Sequence, residues 1–170
     1  MFELKKISPQ YISNALMKAE KYRYMNHPKT SESICRDVLE IKPEHQEAII
    51  LLIISISEQF ADRKKYSASL RNAQEWLPLI EDEYKKIYLS GLILERWAKA
   101  NIHILAGADL YEFFQEAMDF YAKAEKIRPV EDESCILHWN LCIRLMELNP
   151  HIKPRQDESG AHAYGDGFVH

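Results

Sequence analysis

The sequence is short of the residues that punctuate a β-protein or a secreted one. Glycine occurs five times and proline seven times in 170 residues. No Asn-Gly or Asp-Gly pair sits between alternating apolar runs, so tight two-residue hairpins are not expected. Cysteine occurs three times, as Cys35, Cys135 and Cys142. An odd number in helix-like surroundings argues against a disulfide framework and for a reducing compartment. The longest apolar run, Ala48 to Ile54, is seven residues, against the roughly 20 that cross a bilayer. Met1 to Lys6 carries no apolar signal run. These absences give the expectation of a soluble cytoplasmic protein without a membrane partner. An excess of positive charge is also missing. The formal net charge is -4, and pairs such as Lys5-Lys6 and Lys64-Lys65 are too short to form the basic surface that nucleic acid requires.

What is present is helical period. Hydrophobic residues (46%) and charged residues (28%) are in ordinary proportion for one globular domain, and the apolar ones recur at three and four. Ser8-Pro9 reads as a helix start, a capping hydroxyl followed by proline at the first helical position. Pro43, Pro78, Pro129 and Pro150 each follow an apolar-periodic segment and read as stops. The expected layout is a lead-in over 1–10, a helical domain over 11–150 and an extended tail over 151–170.

Regular stops invite a search for repeats. Ala15, Ala19, Tyr22, Ser31, Cys35, Val38 and Pro43 follow one another at offsets of 4, 3, 9, 4, 3 and 5. Ile49, Ile53, Ile56, Tyr66, Leu70, Ala73 and Pro78 repeat them with one extra residue between the helices. Ile87, Gly91, Leu94, Ala117, Tyr121, Ala124 and Pro129 repeat them with a longer insertion around 99–111, read as a first helix extended to about Ile104 and a restart capped by Asp109. Cys135, Trp139 and Cys142 begin the pattern again behind the acidic start Glu131-Asp132-Glu133. Glu81-Asp82-Glu83 reads as another acidic helix start. The spacing resembles that of the tetratricopeptide repeat family. That resemblance implies an all-α fold, a right-handed superhelix of about three helical hairpins and a C-terminal capping helix.

The resemblance implies a non-catalytic protein-interaction module, since a stack of hairpins leaves a concave face lined by the first helix of each unit. One helical step from the core positions lie Leu16 and Glu20, Ile50 and Ile54, Tyr88 and Leu92, and Ile136 and Asn140, flanked by Ser13, Arg23, Lys85 and Glu95. The expectation is a mostly apolar groove that takes a peptide or an amphipathic helix of unknown identity. The apolar end of the tail (Tyr164, Phe168, Val169), or a second copy of the chain, is an alternative occupant. The carboxylate clamp of chaperone-binding members is not expected. Of the matching positions Leu16, Glu20, Leu51, Lys85 and Leu89, only Lys85 has the right chemistry, and an unpaired ligand carboxylate is costly.

Other readings are weaker. The size and acidity also suit a repeat-type chaperone of the type III secretion class. An enzymatic site near His103 and Asp109, or RNA readout by the helices, has no supporting constellation. Cys135, His138 and Cys142 share a helical face with zinc-ligand chemistry, but those offsets are also those of a packing face. A packed, hydrogen-bonded histidine is the simpler reading, and no metal or other cofactor is expected. Trp76, Trp97 and Trp139 read as wedges between units.

Overall fold

The computed structural model describes residues 2–62 and 69–155. Among them there are seven α-helices and no strand. The helices are α1 (Ile12–Tyr24), α2 (Pro28–Leu39), α3 (Gln46–Ser57), α4 (Leu70–Gln74), α5 (Glu83–Ala100), α6 (Gly107–Glu125) and α7 (Ser134–Leu148). Each packs on the next in the chain. In addition α1 touches α3, α3 touches α5, and α5 touches α7.

Local chemistry sets most of the helix ends. Ser8 has the extended backbone of a cap, but its hydroxyl caps nothing, and Pro9–Tyr11 form a 3-10 turn before α1 begins. Asn26 ends α1 in the left-handed region at φ 61°. The Asn26 amide bonds Arg23 O at 2.9 Å and the His27 amide bonds Tyr22 O at 2.8 Å, the paired pattern of a left-handed helix stop. The Tyr22 ring meets His27 edge-on with centroids 6.4 Å apart. That placement leaves Tyr22 38% exposed, whereas the repeat spacing expects it in the core. The Asp82 carboxylate accepts the Lys85 amide at 2.9 Å, with Glu83 in the first turn of α5, so Glu81-Asp82-Glu83 is an acidic helix start.

Most residues at the repeat positions are buried: Ala15, Ala19, Ser31, Cys35, Val38, Ile49, Ile53, Ile56, Ala73, Gly91, Leu94, Ala117, Tyr121, Ala124, Cys135 and Cys142. The described part of the fourth helix is five residues long, and Tyr66 lies outside the described residues. The expected helix bounds are corrected in the third unit. The first helix of the third unit ends at Ala100, not near Ile104, and α6 restarts at Gly107 with Ala106, not Asp109, at its cap. The sequence Asn101 to Ala106 breaks the ladder: the Asn101 side chain bonds Trp97 O at 2.8 Å, competing with the next helical turn.

The core has two lobes that share α5. Leu89, Leu92 and Ile93 join α1 to α4 in the first lobe, while Tyr84, Leu94 and Ala98 join α6 and α7 in the second. Helix α3 is apolar on nearly every side, as a helix enclosed by neighbours must be. Its one deep polar contact, the Ser55 hydroxyl to the Ser31 hydroxyl at 2.9 Å, satisfies both groups. Trp97 meets Phe60 edge-on with centroids 5.4 Å apart, wedging α5 against the end of α3.

The start of the tail is part of the domain. Ile152 is buried in the second lobe, and Arg155 bridges Asp109 at 2.7 Å and Glu112 at 3.0 Å. Gly107 permits this return, because a β-carbon there would overlap the His151 carbonyl oxygen. The apolar cluster Tyr164, Phe168 and Val169 lies outside the described residues. Among the described residues no helix is long and apolar enough to cross a membrane.

Candidate functional site

Side chains of alternate helices meet at several points. Arg23 of α1 bonds Glu58, just beyond α3, through Nε at 2.8 Å. Arg96 of α5 approaches the same Glu58 oxygen at 3.7 Å and donates to the Ser57 hydroxyl at 2.7 Å and Ile54 O at 3.2 Å. Tyr88 of α5 meets His138 of α7 edge-on, centroids 5.8 Å apart. Side chains of α1, α3, α5 and α7 are thereby linked in order.

The expected groove residues divide by burial. Glu20, Lys85 and Asn140 are exposed, and Arg23, Ile50, Ile54, Tyr88 and Ile136 are half-buried. Leu16 and Leu92 are each only 2% exposed and belong to the core, so they line no groove. The physical reason is the width of the apolar stripe. Helix α1 packs on both α2 and α3, and α5 on α3, α4, α6 and α7, so the residue one step round from the repeat position is buried as well. Without those two leucines the remaining residues are of mixed chemistry, and Arg23, Glu58 and Arg96 add charge where α1, α3 and α5 end. Leu51 and Leu89 are buried too, so neither is placed to act in a carboxylate clamp.

Beneath the α5–α7 end lies a buried polar centre. Glu95, expected at the groove flank, is 2% exposed. Its Oε2 accepts the Tyr121 hydroxyl of α6 at 2.7 Å and lies 2.7 Å from His138 Nδ1 of α7. The Cys142 thiol sits 4.0 Å from the same oxygen. A single carboxylate oxygen therefore ties three helices together. Burial, followed by the Glu95 charge, raises the Tyr121 phenol above its usual range. His138 is thus a packed, hydrogen-bonded histidine. Among the described residues no group of three His, Cys, Asp or Glu side chains is placed to hold a metal ion.

The Tyr84 hydroxyl is the one buried side-chain polar atom among the described residues without a hydrogen bond. Burial is the main reason its pKa is raised, with Asp132 adding to it.

All three cysteines are free and buried. Burial pushes the Cys35 and Cys142 thiols up from 9.0 to about 12. Between these values an unfolded chain would have lost protons that the folded chain keeps. Stability should therefore fall as pH rises from about 9 toward 12. Urea midpoints measured at pH 8 and pH 10 should drop, and folded protein at pH 8 should resist iodoacetamide at both thiols. An unchanged midpoint together with fast labelling would refute this.

The sequence reading missed Glu58, Arg96 and the central role of Glu95. Glu95 did leave a signal, a lone acid beside Gly91 and Leu94 on a packing face. Its partners are 26 and 43 residues away, beyond the reach of local spacing. Compared with known proteins, the chain matches no family model, no curated protein and no solved structure.

Proposed function

We propose that this chain is a stack of helical hairpins of the tetratricopeptide kind that binds a polypeptide, an extended segment or an amphipathic helix, on the face formed by α1, α3, α5 and α7. The observation that carries the reading is the packing order: each helix against the next, and each first helix against the following first helix. Stacked hairpins pack this way, and the arrangement leaves one long surface lined by alternate helices. The burial of residues at the repeat spacing supports the same reading. The surface is amphipathic rather than apolar, with Ile50, Ile54, Tyr88 and Ile136 interleaved with Glu20, Arg23, Lys85 and Asn140. No catalytic step is proposed.

The test is selection of binders from a displayed library of random short peptides. Recovered peptides should lose binding to an Ile50→Gln, Ile136→Gln, Lys85→Glu variant. They should keep binding to a Glu116→Gln, Lys123→Gln variant of the exposed side of α6. Both variants should melt with the wild-type helical circular dichroism. Binders insensitive to the first variant, or none recovered, would count against the reading. Leu92 is unsuitable for such a test because a charge in the core would unfold the protein.

A further inference from the structure

We infer that the segment bound on this face is recognised through a carboxylate side chain with an apolar residue beside it, and that the receiving group is the Arg23–Arg96 pair. The inference rests on the peptide-binding reading above. It starts from where the two guanidinium groups lie. Arg23 is in the last turn of α1 and Arg96 in the last turns of α5, and Glu58 at the end of α3 stands between them. The three helices thus finish at one place, and two cations share one carboxylate oxygen.

That carboxylate leaves most of the donor capacity unused. Arg23 commits only its Nε, so among the described residues both of its terminal nitrogens are without hydrogen bonds. Arg96 commits Nη1 to the end of α3, and its Nη2 stands at ion-pair distance from Glu58, beyond hydrogen-bond length. A guanidinium presents five N–H groups in a planar fork suited to a carboxylate. The side chains of Arg23 and Arg96 are only 18% and 23% exposed. Charges held partly out of water gain more from a new partner than fully exposed ones.

The space beside Arg96 and Glu58 has matching chemistry. A cleft of about 410 Å³ is lined by Ser57, Glu58, Phe60, Ala61, Arg96 and Lys99 with Ala100. Its polar wall adds a third cation, Lys99. Its floor is apolar, and Phe60 is braced there by Trp97. Of the other nearby acids, Glu95 is buried and occupied by Tyr121 and His138, and the exposed Asp62 follows Ala61 of the lining. In a chain of formal net charge -4, Arg23, Arg96 and Lys99 outnumber Glu58 and Asp62 here and give a locally positive field. Such a field selects partners by charge. A glutamate or aspartate next to an aliphatic or aromatic residue would satisfy both walls.

The experiment uses the full chain and the same library of random short peptides. Recovered binders should be enriched in acid–apolar pairs. An Arg23→Gln, Lys99→Glu variant should bind them about tenfold more weakly, the order expected for loss of a charge-assisted pair. Glu58→Gln removes the competing carboxylate and should bind them more tightly, a gain that a purely structural role for Glu58 would not give. Binding should weaken with added salt. Peptides that bind this face without acidic enrichment, or that ignore both variants, overturn the inference and leave the peptide-binding reading intact. Peptides whose binding ignores Ile50→Gln, Ile136→Gln, Lys85→Glu overturn that reading itself. Enrichment of phosphopeptides or of RNA oligonucleotides over carboxylate peptides in parallel selections would likewise overturn the choice of ligand.

Discussion

Replacing Glu95 with alanine is expected to destabilise the fold by about 3–5 kcal/mol, the range seen when one member of a buried polar or charged pair is removed. The Tyr121 hydroxyl and His138 Nδ1 both lose their acceptor at 2.7 Å, in a site where Glu95 is only 2% exposed. A cavity left by the missing methylenes adds to the loss. Against a typical total of about 5–15 kcal/mol, this change removes a large share of the stability and should lower the urea midpoint sharply. Glu95→Gln provides the contrast. Its amide oxygen can accept both donors in the same geometry, so the loss should be about 1 kcal/mol. Urea denaturation of the two variants decides the matter. Equal losses would mean that the charge, and not the hydrogen-bonded geometry, joins the three helices.

The second large effect is expected at Gly91. A β-carbon there would stand 2.8 Å from Tyr121 Cε1 and 2.9 Å from Ala117 O. The first atom belongs to a ring whose hydroxyl is fixed on Glu95, and the second is backbone, so neither yields easily. Overpacking of this kind costs about 1–3 kcal/mol. In Gly91→Ala the gain in helix propensity, up to about 1 kcal/mol, offsets part of it. In Gly91→Val the offset shrinks and two further methyl groups enter the same space. The melting temperature should then fall by about 10 °C. Combining Gly91→Ala with Tyr121→Leu removes one of the two clashing groups, so the pair should be less harmful than the sum of its parts. Strict additivity would show that the close approach of α5 to α6 is not what demands glycine here.

The all-helical class, the end of α2 before Pro43, the acidic start of α5 and most of the inward positions were legible in the sequence. They depend on period and capping, which are local. The groove was legible only in part. Leu16 and Leu92 have the composition of a ligand-facing strip, yet neighbouring helices close over them, and composition does not say on how many sides a helix is covered. His138 could be read as packed and hydrogen-bonded, but its acceptor could not be named. The two lobes on α5, the meeting of Arg23, Glu58 and Arg96, and the convergence of Tyr121 and His138 on Glu95 were decided by tertiary structure alone. A helix face is written in residues three and four apart, whereas these contacts join residues 26 to 43 apart, and only the packing of one helix on another brings them within reach.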